Sequence, residues 1–95
     1  MTKIAERVHV HQGEIALIQS RIAELDDESI VELTLSNGQK VKGVVTVRPT
    51  LQTFRDADGN EGVNSLLRLD DLEQPGKTHH VWLDQVADIF HMGSD

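Results

Sequence analysis

The side chains best suited to chemistry here are carboxylates and imidazoles, so their spacing comes first. Asp56-Ala57-Asp58-Gly59-Asn60 begins like a calcium loop. Such a loop needs glycine at its sixth position, where the chain turns sharply, and glutamate at its twelfth, where two oxygens close the shell. Counted from Asp56, glycine comes fourth and Leu67 stands twelfth. The string therefore reads as a hairpin turn, in which Asp and Gly serve local backbone geometry. His9 and His11 share a face if their segment is extended, while the adjacent His79 and His80 point to opposite sides of a strand. Spacing fixes no third ligand for either pair, so these are read as polar strand positions and no metal is assigned. Asp56, Asp58, Asp84 and Asp88 fall in or beside turns, whereas acid–base catalysis needs two carboxyls held together in a shielded pocket. Without a Ser/His/Asp order or a phosphate-cradling glycine loop, the chain reads as a non-enzyme with no cofactor.

Recognition is the remaining class of chemistry. Arg48, Arg55 and Arg68 can meet phosphates, or can lie on solvated strand faces paired with Glu61, Asp70 or Asp71. Trp82, the single tryptophan, can stack a base from an outward face or be buried in the core or under a helix. Net charge is −7, which disfavours broad phosphate-backbone binding. The charge is uneven, however. Residues 1–29 hold three basic and six acidic side chains, whereas residues 40–55 hold Lys40, Lys42, Arg48 and Arg55 with no acid, a local basic stripe.

The elements that must position these residues follow from composition and periodicity. Ninety-five residues suit one domain, residues 1–95, with one modest core. Only Phe54, Trp82 and Phe90 are aromatic, so Val, Ile and Leu must build that core. There is no cysteine, which excludes disulfides and thiolate chemistry. No apolar run reaches signal-peptide or membrane-span length, which leads us to expect a cytoplasmic protein without membrane contact. Ile15, Ile18, Ile22 and Leu25 recur at helical spacing and predict a helix over about 12–27. Before Gly13, the alternation in "RVHVH" is compatible with an extended segment or a loose first turn.

From Ile30 the period becomes two. Val31, Leu33 and Leu35 alternate with polar residues as a half-buried strand requires. "SNGQ" signals a hairpin. A three-residue loop, Asn37-Gly38-Gln39, would pair Leu35 with Val41 and Val31 with Val45, keeping lysines off the core face. Gly43 then lies on the inner face, where it permits a bend and close approach of another strand. The strand should run through Val45 and Val47 to Pro49, which marks an edge or kink. "LQTFRD" and "GVNSLLRL" read as two strands joined at Asp58-Gly59, with Phe54 opposite Val63 and Leu51 opposite Leu66. "HHVWL", the turn "DQV" and "ADIFHM" complete the set, and "GSD" should fray. A helix followed by consecutive antiparallel strands, the second of them bent, predicts a small barrel.

That order, with "LSNGQKVKGVV" at its front, resembles the Sm-like fold. Leu35, Asn37, Gly38, Val41, Gly43 and Val45 match the family's first motif. The longer strings "RPTLQTFRDADGNEGVNSLLRL" and "VWLDQVADI" resemble a small family of uncharacterised bacterial proteins, a domain of unknown function with a variant Sm-like fold. The resemblance implies a mostly β protein with an N-terminal α-helix. Its body would be an Sm-like five-stranded, strongly bent antiparallel open barrel over about 30–92. It also shows what is missing. Sm-like proteins present an RNA-binding Asn after the second strand, and Thr53 stands there. Their second motif carries an Arg-Gly pair, and Val81-Trp82-Leu83-Asp84 occupies that place. We therefore expect a non-catalytic interaction module that forms a homodimer or other homo-oligomer through strand edges and binds a protein partner. Pro49 and the insertion "DDLEQPGKT" blunt edges and favour a dimer over a large ring. The alternative is RNA or single-stranded nucleic-acid binding through Arg48, Thr53, Arg55 and Trp82.

Overall fold

In the computed structural model, which describes residues 3–94, the helical stripe forms α1, Gln12–Ala23. It presents Ile18 to the core with half-buried Ile15 and Ile22 beside it. The helix stops short of the expected residue 27. Glu24, Asp26, Asp27 and Glu28 would place four acids at the negative end of the helix dipole. The chain instead turns, with Glu28 at φ 65° and its N–H bonded to the Val45 carbonyl (2.7 Å). That turn still carries Leu25 into the core, fully buried.

Eight strands follow the period-two segments: β1 (Lys3–Ile4) before the helix, then β2 (Ser29–Leu35), β3 (Lys40–Val45), β4 (Gln52–Arg55), β5 (Glu61–Asn64), β6 (Leu66–Asp70), β7 (Thr78–Trp82) and β8 (Val86–Ser94). A 3₁₀ turn, Leu83–Gln85, joins the last two. The protein is thus mostly β with one N-terminal helix. Its larger sheet is antiparallel and five-stranded, in the order β7-β6-β3-β2-β8, and its smaller sheet has the order β1-β4-β5. Val31, Leu33, Val45, Leu67 and Leu69 are fully buried on the inner face of the larger sheet. Val81, Leu83, Val86 and Ile89 flank them, and Ile18 and Leu25 close the cluster.

Both hairpins adopt a register other than the predicted one. In the first, Leu33 pairs with Val41 and Val31 with Gly43, a slip of two residues that keeps the same face inward. Its loop is Ser36-Asn37-Gly38. In the second, Phe54 faces Gly62 and Thr53 faces Val63, around a loop of Ala57-Asp58-Gly59 rather than a two-residue Asp-Gly turn. Each loop ends on its glycine at positive φ, 90° for Gly38 and 83° for Gly59. This is the three-residue hairpin with a bulge at the glycine.

Gly43 does what its place on the inner face suggested. A Cβ there would lie 2.6 Å from the Asp70 carbonyl and 2.9 Å from the Leu69 Cβ, so only glycine lets β3 and β6 approach this closely. Two expected strands are interrupted. β3 ends at Val45, and Val47 is exposed rather than a strand residue. "GVNSLLRL" divides at Ser65 into β5 and β6, which belong to different sheets. Residues 46–51 on one arm and 65–68 on the other mark the change of sheet, with Pro49 buried in the kink. Buried polar groups hold it. Asn64 Oδ1 accepts the Ser65 N–H (2.8 Å), Ser65 Oγ donates to the Thr50 carbonyl (2.8 Å), and the Leu83 N–H donates to the Ser65 carbonyl (2.9 Å).

At the chain ends, Gly93 and Ser94 do not fray but continue β8 opposite Ile30 and Ser29, while Asp95 lies outside the described residues. "RVHVH" is extended rather than helical. β1 pairs parallel to β4, and His9 forms an antiparallel bridge to Val63 of β5.

Candidate functional site

The four residues singled out for nucleic-acid contact lie in three settings. Thr53 and Arg55 alternate outward on β4, exposed to solvent. Phe54 between them points the other way and packs edge-to-face on half-buried Trp82, with centroids 5.1 Å apart and planes at 84°. Trp82 thus spends its ring on joining the two sheets, on the face of β4 opposite Thr53 and Arg55. Arg48 sits beyond the end of β3, with its guanidinium on Asp26 and its backbone N–H donating to Asp27 Oδ1 (2.6 Å).

The basic stripe is matched by acids from elsewhere in the chain. Glu32 on β2 meets Lys42 at 3.4 Å and Lys40 at 3.9 Å, and Glu61 meets Arg55 at 3.5 Å. These exposed pairs contribute little stability but reduce the positive potential available to a phosphate chain. Arg68, exposed on β6, makes no ion pair among the described residues. The carboxylate of Asp56 is consumed by its own turn, accepting the N–H groups of Asp58 (3.0 Å) and Asn60 (2.9 Å) and the Asn60 side-chain amide (3.1 Å). The Asn60 side chain chiefly holds its pKa below the usual carboxylate value.

His79 and His80 face opposite sides, as their adjacency required. His79 Nε2 lies 2.8 Å from Asp71 Oδ1, and the other carboxylate oxygen accepts the Glu73 and Gln74 N–H groups. These bonds, that of His79 foremost, lower the Asp71 pKa to about 2. Among the described residues no group of three or more His, Asp or Glu side chains is placed to hold a metal ion. Nor is any helix there long and apolar enough to cross a membrane.

The most unusual titratable group is His9. Its extended segment lays it between α1 and the 3₁₀ turn. Nδ1 lies 2.5 Å from Glu14 Oε1 and Nε2 lies 3.0 Å from Asp84 Oδ2. Its side chain is 14% exposed and that of Asp84 only 8%. Among the described residues, buried Asp84 Oδ1 has no hydrogen-bond partner. Burial pushes the His9 pKa down, but the hydrogen bonds to Glu14 and Asp84, with their charges, outweigh it and the net shift is upward. Both ring nitrogens are engaged, so His9 offers no free nitrogen to a substrate or metal, and the arrangement fastens segments together. Sequence reasoning considered His9 and Asp84 separately. Nothing local links them, since they stand 75 positions apart.

The fold is similar to a variant of the Sm-like class. The chain is similar to the crystal structure of XC5848 from Xanthomonas campestris, described as adopting a novel variant of Sm-like motif. The TM-score is 0.90 and the identity 35%, over 97% of this chain and 99% of that one. Residues 2–92 match the family described as Domain of unknown function (DUF3247), and the chain belongs to that family. Among curated proteins nothing matches.

Proposed function

We propose that this chain is a non-catalytic interaction module of the bacterial cytoplasm, an open and strongly bent Sm-like barrel that self-associates and binds a protein partner. The observation that carries this reading is the outer strand β8. Among the described residues β2 is its only strand partner, along Val86–Ser94, and the Arg21 guanidinium donates to its Ala87 carbonyl (2.9 Å). On it Phe90 is 62% exposed and Met92 47%. A long open edge carrying apolar side chains is a template for pairing with another strand. The acid partners of Lys40, Lys42, Arg48 and Arg55 favour a protein surface over a phosphate backbone. Sedimentation across micromolar concentrations tests the proposal. The expected mass is a dimer, reduced to one chain by Phe90→Lys with Met92→Lys. A single-chain mass for the wild type at every concentration overturns self-association. Salt-sensitive retention of a single-stranded RNA pool would instead support the nucleic-acid alternative.

A further inference from the structure

Residues 3–11 are held to the fold mainly by backbone and polar contacts. Lys3 and Ile4 pair along one edge of β4, and the Ala5 N–H donates to the Arg55 carbonyl (2.9 Å). His9 exchanges two backbone bonds with Val63 on the far edge of β5, each 2.9 Å. One segment therefore runs round the β4–β5 hairpin and covers both of its edges. On the way the Arg7 carbonyl accepts from Asn64 (2.9 Å), and the Glu6 carboxylate accepts from Gln85 (2.8 Å). Gly62 leaves it room, since a Cβ there would meet the His9 carbonyl at 2.8 Å. Apolar anchoring is modest: Ala5 is buried and Val8 half-buried beside Gly62, while Ile4 and Val10 are 75% and 65% exposed.

We propose that residues 3–11 form a strap that stays on the hairpin while His9 carries a proton on each ring nitrogen, and is released when one of them leaves. An imidazolium donates to Glu14 and Asp84 at once. A neutral imidazole has one N–H, so in either tautomer a ring lone pair faces a carboxylate oxygen. Asp84, its side chain 8% exposed, has little solvent to turn to, and its Oδ1 lacks a partner among the described residues. The Nε2–H tautomer keeps a donor on Asp84 but sets the Nδ1 lone pair against Glu14 Oε1 at 2.5 Å, and the other tautomer leaves the buried Asp84 carboxylate without a donor; both are unfavourable, and the strap resists the strain with Ala5 and half-buried Val8.

The groups facing His9 are Glu14 from α1 and Asp84 from the 3₁₀ turn, while β5 meets it through the backbone of Gly62 and Val63. On its own segment the ionisable neighbour is His11, whose charge acts on Glu14. Because the His9 pKa is raised in the closed form, its contribution is complete below the usual 6.5 and is lost as pH rises through the raised value. Release belongs on the alkaline side of 6.5.

Amide hydrogen exchange of the full chain, corrected for intrinsic base catalysis, tests this. The opening constant read at Ala5, His9 and Val63 should rise by up to about tenfold per pH unit across the His9 titration. Reporter amides in β2 should not follow. His9→Gln should abolish that dependence. If this variant fails to fold, ¹⁵N shifts of the wild-type His9 ring serve instead. They should show both nitrogens protonated below pH 6.5 and lose one proton in step with opening as pH rises. Protection at the three amides that ignores pH, a dependence that survives in His9→Gln, opening shared by the β2 reporters, or a His9 ring already neutral below pH 6.5 would each overturn the strap.

Discussion

The two sheets differ in what holds them. The larger is closed by aliphatic side chains, with Val31, Leu33, Val45, Leu67 and Leu69 all fully buried. The smaller has one large apolar anchor, Phe54 against Trp82. Its remaining fastenings are polar: Asn64 on Arg7, Ser65 on Thr50, His9 on Asp84. Apolar burial is indifferent to protonation and has no preferred direction, whereas a hydrogen-bonded charge depends on both. One protein thus joins a body held by aliphatic burial to a region whose attachment rests on a few polar and ionisable groups.

The largest effect that sharpens this contrast is Leu33→Ala. Removing a fully buried leucine should destabilise the whole protein by about 2–5 kcal/mol, read as a lower denaturant midpoint at every probe. Next comes a matched pair of glycines. In Gly43→Ala the new methyl meets Asp70 and Leu69 within the larger sheet, and the global midpoint should fall by about 1–3 kcal/mol. In Gly62→Ala it meets the His9 backbone at a similar distance, but the strap can yield. Exchange at Ala5 and His9 should quicken with a smaller change in midpoint. Equal midpoint losses would show the two regions to be one cooperative unit. The smallest effect concerns acid. The Asp71 carboxyl, held at about 2 by His79 and two backbone N–H groups, contributes stability above its ordinary 3.8 and loses it as pH falls from there. Exchange of the Asp71 N–H, which donates to the Lys77 carbonyl at 2.9 Å, should therefore quicken in acid. Asp71→Asn should flatten that dependence. The β6–β7 connection loosens in acid and the strap in alkali, opposite signs within one small fold.

What sequence could reveal follows the same division. The stripe of Ile18, Ile22 and Leu25, the alternation of Val31 and Leu33 and the need for Gly43 were legible, because the period of apolar residues states which side is buried. Register was not, for a reason common to both hairpins. Asn37-Gly38 and Asp58-Gly59 each supply the last two residues of a three-residue loop, and a slip of two leaves the buried face of β2 unchanged. The break at Ser65 was hidden because "GVNSLLRL" carries no glycine or proline at the division. There the change of sheet is imposed by hydrogen bonds to Thr50 and Leu83. The His9 cluster was invisible for a third reason: its carboxylates come from a helix and a distant turn that only the folded chain brings together. The stripe Lys40, Lys42, Arg48 and Arg55 finds its acids elsewhere in the chain, at Asp26, Glu32 and Glu61.

The strap also sets an order of events. It precedes the body along the chain, yet its anchors lie far downstream, Asn64 by 57 positions and Asp84 by 75. During synthesis a segment that emerges before the body is therefore among the last able to dock, waiting until β4, β5 and the 3₁₀ turn have been made. Closing such long loops is slow and entropically unfavourable compared with forming local hairpins. Until it docks, both edges of the β4–β5 hairpin stand open, so a nascent chain passes through a stage in which it is more prone to pair with its neighbours than the finished protein is.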